Sequence, residues 1–322
     1  MVQTGNFVAG KKRTHLASLY YEIHGNGPEK ICLVMGCDEL IVVLYRPNTL
    51  HLQANIPYLS LITVAVALAI LPGDSMRMFL LYMVFILYKD YHVLTYHEPQ
   101  PSTSQLANDT IELLDHLGWD KDVNLVGISM GGMISLEVAY RTPERLSSLI
   151  LTSTTARRNI PTWKTVSALA KVALFTPDPR DKVQTIVDLL YPADWLSQAP
   201  SNPKLAKYET NRDYATHSFI KHATKSRLQP VRGNIGQSAA CLRHNVSDAR
   251  LKKIKDSNIP TMVITGTIDN FVNPAHSHHL QKILGARYEV FEGSGHAIPE
   301  EQADRYNALL EEFFESAKVS KL

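Results

Sequence analysis

The sequence predicts an α/β fold: a mostly parallel, doubly wound sheet with helices on both faces and a helical cap. Three observations predict it. A strand, a glycine turn, a helix and another strand follow one another between 122 and 153. Strand-like runs then vanish between about 157 and 232, where helical pieces alternate with proline breaks. Strand–helix alternation returns from 260 to the end.

Taken in order, 16–23 (LASLYYEI) and 30–35 (KICLVM) read as a strand pair, with His24-Gly25-Asn26-Gly27-Pro28 supplying turn chemistry between them. Residues 91–97 read as a short strand. Helical spacing over 103–118 places Leu106, Ile111, Leu113, Leu114 and Leu117 on one stripe, with Gly118 as the stop. The run 122–128 (DVNLVGI) is an apolar strand that enters Ser129-Met130-Gly131-Gly132 and a helix over 133–140. Another strand follows at 147–153.

Helices are expected at 163–174 and 181–190, separated from their neighbours by Pro177, Pro179, Pro192 and Pro200. The region has too many apolar residues for a solvated linker. The core is therefore assigned to 1–156 and 233–322, and the cap to 157–232. The C-terminal part predicts strand 260–266, helix 274–284, strand 287–292 and a last helix over 299–318. Pro299 suits the start of that helix, and Glu300 and Glu301 suit the positive end of its dipole.

Composition narrows the function classes. Of 322 residues, 45% are hydrophobic and 20% charged, with a net charge of +2, as in an ordinary soluble enzyme. There is no long basic run, so no nucleic-acid partner is expected. Cys32, Cys37 and Cys241 do not form a disulfide framework, and a reducing compartment fits them. The N-terminal stretch lacks the apolar core of a secretory signal. The apolar runs 57–72 and 78–88 both fall short of the roughly 18–20 residues of a membrane span. Burial is favoured over membrane contact for them.

The chemistry concentrates at Gly127-Ile128-Ser129-Met130-Gly131, a G-x-S-x-G pattern between an apolar strand and an amphipathic helix. Such a serine sits on a sharp turn, and small residues on either side let the chain fold back. Asp269 follows the buried run 260–266, where an acid can point to the C-terminal edge of a sheet. Asp256 is the poorer acid candidate, because it lies before that strand in a charged stretch. His296 stands in Gly293-Ser294-Gly295-His296, between a strand and the final helix.

Residues 1–36 and about 100–322 resemble the α/β-hydrolase family, in particular its lipase/esterase and peptidase-like serine hydrolases. LASLYYEIHGNGPEKICLVMG, DTIELLDHLG, LVGISMGGMISLEVA, ITGTIDNFVNP and FEGSGHAIPEE carry the resemblance. The chain order Ser, Asp, His is also that family's. The resemblance implies Ser129 as nucleophile, His296 as general base and then acid, and Asp269 as the group that orients the imidazole. It implies an oxyanion hole from the backbone N–H groups of Met130 and, by position after Gly36, Cys37. No cofactor and no metal are implied.

The family pattern breaks after Gly36. Its acid-x-arginine-glycine-x-glycine segment is absent, and an apolar stretch leads to His97-Glu98-Pro99-Gln100-Pro101. The segment 37–101 is either a natural insertion over the site or coding text that replaces the family's own. Its few charges (Arg46, Asp74 and Arg77 between 41 and 88) favour the second, non-native reading.

Three smaller features complete the reading. Ser320-Lys321-Leu322 is an address for a peroxisomal import receptor, so a peroxisomal location is expected, and otherwise a cytoplasmic one. His276, His278 and His279 read as a solvated helix face rather than a metal site. Trp163 and Trp195 either line an acyl or aromatic pocket or pack within the cap. The expected activity is hydrolysis of a small-molecule ester-like bond. The rivals are an amidase or aminopeptidase-like enzyme, a lactonase, a carbon–carbon hydrolase, and an inactive isoform.

Overall fold

The computed structural model describes residues 2–11, 16–25, 27, 29–34, 40–45, 102–176, 178–225 and 239–319. Its strands are β1 (Val2–Ala9), β2 (Ala17–His24), β3 (Lys30–Val34), β4 (Leu40–Tyr45), β5 (Val123–Ile128), β6 (Leu146–Thr152), β7 (Thr261–Gly266) and β8 (Arg287–Phe291). They form one sheet in the order β1-β2-β4-β3-β5-β6-β7-β8. β3, β5, β6, β7 and β8 run parallel, as the α/β reading requires.

The first strands depart from expectation. Both members of the expected pair form, but β2 and β3 are not neighbours. β4 lies between them, parallel to β2 and antiparallel to β3. Only residues 35–39 separate β3 from β4. A parallel neighbour needs a crossover of a dozen or more residues, so so short a connection returns the chain antiparallel. β1, which the sequence reading missed, pairs antiparallel with β2 at the sheet edge. Six residues of the atypical 37–101 segment thus enter the sheet. The rest of it, including the expected strand at 91–97 and both apolar runs, lies outside the described residues.

The helices are α1 (Thr103–His116), α2 (Met130–Arg141), α3 (Trp163–Phe175), α4 (Pro179–Leu190), α5 (Ala193–Ser197), α6 (Asn211–Lys225), α7 (Asp248–Asp256), α8 (Pro274–Leu284), α9 (Ile298–Glu301) and α10 (Ala303–Val319). α1 starts on a capping box. The Ser102 hydroxyl accepts from Gln105 N–H at 3.1 Å, and the Gln105 side chain accepts from Ser102 N–H at 3.0 Å. Its end lies where Gly118 predicted it, with that glycine at φ 68°.

Strand alternation divides the core into two layers. Cys32, Val34, Val123 and Leu125 face one layer with residues of α1, α2, α7 and α8. Ile31, Leu33, Val126 and Ile128 face the other, against Ile298 of α9 and Tyr306, Leu310, Phe313 and Phe314 of α10. All six residues of β5 are buried. Burying a side chain of this kind contributes about 1.5–3 kcal/mol. The strand that delivers Ser129 is therefore held on both faces. Glu137 of α2 is buried and accepts from both Arg250 guanidinium nitrogens, at 2.9 and 2.6 Å, which ties α7 to the helix that follows the serine.

The helices α4, α5 and α6, which lie between β6 and β7 in the chain, build a separate apolar cluster. Ile186, Val187, Leu190, Leu196 and Phe219 are buried in it together with Phe271 and Ala297. Among the described residues, no helix is long and apolar enough to cross a membrane.

Candidate active site

Ser129 occupies the turn between β5 and α2 with φ 57° and ψ −121°. A non-glycine residue in that region is strained, and it persists only where its surroundings fix it. Here they do. Ser129 N–H donates to Thr152 O at 2.9 Å, and Ser129 O accepts from the Thr154 hydroxyl at 2.6 Å. The turn is also sterically closed. A Cβ on Gly127 would lie 2.6 Å from Gly132 Cα and 2.7 Å from Gly131 O. The Ser129 hydroxyl makes no capping bond to α2, so it is available to a partner outside the helix.

That partner is His296. Its Nε2 lies 3.1 Å from Ser129 Oγ, and its Nδ1 lies 2.8 Å from Asp269 Oδ2. The other carboxylate oxygen of Asp269 accepts from Phe271 N–H at 2.8 Å and Val272 N–H at 3.0 Å. These bonds fix the carboxylate plane. Nδ1 then carries the proton toward Asp269 and leaves Nε2 as acceptor for the serine hydroxyl. Ser129, Asp269 and His296 are all buried, and they come from loops after β5, β7 and β8. These are C-terminal ends of parallel strands, where open α/β sheets place their sites.

Met130 is the first residue of α2 and is buried. Cys37 lies outside the described residues. Asp256 is exposed at the end of α7, away from the triplet. Trp195 stacks on Tyr191 with ring centroids 4.9 Å apart, while Trp163 is 81% exposed. In the histidine group, His279 contacts Asp248 at 3.0 Å and His278 meets the edge of Tyr288. Cys32 and Cys241 are free thiols, and burial pushes the Cys32 thiol up to about 12.

A serine, histidine and carboxylate in this order and geometry sit on a fold that comparison with known proteins identifies. The family model described as alpha/beta hydrolase fold matches residues 90–303. The chain belongs to the α/β-hydrolase family. Among its relatives is the protein named "Putative carbamate hydrolase RutD" of Pseudomonas syringae pv. syringae, 29% identical over 66% of this chain and 79% of that one. Homoserine O-acetyltransferase of Thermus thermophilus is 28% identical over 67% of this chain and 58% of that one. The esterase RhEst1 from a Rhodococcus species superposes with a TM-score of 0.60 at 15% identity, over 98% and 99% of the two chains. The enol-lactonase from Burkholderia xenovorans gives 0.55 at 17% identity, over 98% and 97%. At these identities the structural likeness carries the fold alone.

In this α/β-hydrolase the sequence reading missed two acids at the site. Glu300 and Glu301 were expected only to suit the positive end of a helix dipole, and both do lie in the first turn of a helix, the short α9, which Gln302 separates from α10. Glu300 is buried and accepts from the Tyr191 hydroxyl, just past α4. Burial pushes its carboxyl up to about 7, against the lowering effect of that hydroxyl. Burial likewise pushes Glu301 up to about 8. A third missed feature is Gly266 at the end of β7. A Cβ there would lie 2.4 Å from both Ser294 O and Gly295 O, so the histidine loop can cross β7 only over a glycine.

Proposed function

We propose that this chain is a serine hydrolase that cleaves an ester-like bond of a small molecule through an acyl-enzyme. Ser129 Oγ attacks the carbonyl carbon while its proton passes to Nε2 of His296. The imidazolium that forms is stabilised by Asp269 Oδ2. The oxyanion is held by Met130 N–H and by a second donor, expected at Cys37. His296 returns the proton to the leaving alkoxide. Water then attacks the acyl carbon as it loses a proton to His296, and collapse of the intermediate releases the acid while His296 returns that proton to Ser129 Oγ. The observation that carries this reading is the buried hydrogen-bond chain from Ser129 Oγ through His296 to Asp269, with spacings of 3.1 and 2.8 Å.

We read 157–232 as a cap that shapes substrate choice. Its α4 ends against the histidine loop, since His296 N–H donates to Leu190 O at 3.0 Å. Asn270, next to Asp269, donates to Leu189 O at 3.2 Å. The named activities of similar proteins, on carbamates and enol-lactones, share a carbonyl open to attack. Purified protein is expected to hydrolyse p-nitrophenyl esters with one preferred acyl length, faster than the matching carbamate or anilide. Faster turnover of the carbamate or anilide would replace the ester assignment. Folded protein that turned over none of them would support the inactive-isoform alternative.

We also propose peroxisomal import through Ser320-Lys321-Leu322. α10 runs to Val319, so the tripeptide follows it directly. An N-terminal fluorescent fusion is expected to be punctate, and diffuse once the last three residues are removed. Puncta that survive the deletion would rule this address out.

A further inference from the structure

Two consecutive backbone N–H groups at the histidine loop are each held by a group from another segment. The His296 N–H donates to Leu190 O at the end of α4, at 3.0 Å. The Gly295 N–H donates to Glu301, whose carboxylate oxygens lie 3.1 and 3.0 Å away. Gly295 is wedged between the same two groups, because a Cβ on it would lie 2.6 Å from Leu190 O and 3.3 Å from Glu301 Oε1. Moving the loop away from either group breaks a hydrogen bond.

Glu301 is itself fixed. The Gln302 side chain donates to Ser294 Oγ at 2.7 Å. That leaves the Ser294 hydroxyl proton directed at Glu301, a bond that opposes the upward push of burial on the carboxyl. The groups that face Glu301 are the Gly295 and Ala297 backbone, the Ser294 hydroxyl and, through space, the Asp269 carboxylate. A charged acid beside Asp269 would be repelled.

We propose that Glu301 is a positioning residue for His296. By holding the Gly295 N–H it sets the peptide before the histidine, so that the ring stays within hydrogen-bond reach of both Ser129 and Asp269. Its hydrogen bonds go to the Gly295 and Ala297 backbone and the Ser294 hydroxyl, not to Ser129 or the His296 ring. Since burial pushes its carboxyl up to about 8, it is mostly neutral near pH 7. A neutral side chain of the same shape should therefore serve. The inference rests on the hydrolase reading above.

Glu301→Ala, Glu301→Gln and the unsubstituted protein separate the cases. Each is melted to establish folding and then assayed for p-nitrophenyl ester turnover and for fluorophosphonate labelling of Ser129. In Glu301→Ala, kcat and the labelling rate are expected to fall about 10- to 100-fold with KM within about threefold, because the imidazole is misplaced while the substrate pocket is untouched. Glu301→Gln keeps an acceptor for Gly295 and is expected to stay within about threefold of the parent in both. Unchanged kcat in a folded Glu301→Ala would overturn the proposal, and so would a Glu301→Gln as impaired as the alanine variant. A rise in KM alone would also overturn it, by moving Glu301 to substrate binding. If the unsubstituted protein turns over ester but is not labelled at Ser129, the hydrolase reading fails first and the proposal with it.

Discussion

Ser129→Ala is expected to lower ester turnover by about 10⁴- to 10⁶-fold while the melting temperature stays close to the parent's. The loss is large because the acyl-enzyme cannot form without the hydroxyl. What remains is binding and the oxyanion donors acting on water. The fold should survive, since the Ser129 hydroxyl makes no capping bond and the turn is held through the Ser129 backbone, by Thr152 O and by the Thr154 hydroxyl. His296→Ala should cost nearly as much. Asp269→Ala should cost somewhat less, because the imidazole keeps its Nε2 contact but loses the partner that fixes its tautomer. Steady-state kinetics and phosphonate labelling on the purified variants check the series. A Ser129→Ala protein that kept most of its ester activity would remove Ser129 as nucleophile.

Gly127→Ala is expected to damage both stability and activity from a buried position within β5. The new Cβ would meet Ser135 Oγ at 2.5 Å, Gly132 Cα at 2.6 Å and Gly131 O at 2.7 Å. The serine side chain can rotate away, but the two backbone atoms cannot move without shifting the first turn of α2. Overpacking of this kind costs about 1–3 kcal/mol or more. Displacing Ser129 relative to His296 by even about 1 Å costs on the order of 10² in rate. A lowered melting temperature with slow Ser129 labelling is the expected pair of results. Parent-like values for both would show that the turn relaxes and that glycine is not required there.

The elements read correctly from the sequence are those whose signal is local. β5, the turn at Ser129 and the strand after it declare themselves within thirty or so residues through an apolar run, a glycine pattern and periodicity. The apolar stripe of α1 and its glycine stop are equally local, whereas its Ser102–Gln105 capping box was not read from the sequence. β1 was missed because VQTGNFVA carries a glycine and an asparagine inside a strand, and its pairing with β2 supplies what propensity lacks. α7 was missed because only Leu251 and Ile254 of its nine residues are buried, too few to show a period.

Ser129, Asp269 and His296 could be chosen from the sequence because each follows a strand in a pattern that limits the possibilities. Patterns local to the chain were enough to predict the parallel sheet, the helices between β6 and β7 and the three residues that meet. Their meeting, across 167 residues between the serine and the histidine, required the order of strands in the sheet. Tertiary structure alone decided that β4 separates β2 from β3, because the length of a connection constrains direction but pairing partners are chosen by the whole sheet. It alone decided that Glu300 and Glu301 face inward. Two acids near a helix start are favoured by the dipole in water, but here the helix breaks at Gln302 and the packing of α4 and the histidine loop encloses both carboxyls. Burial is a property of what the rest of the chain places around a residue, and no spacing within the ten residues around Glu301 encodes it.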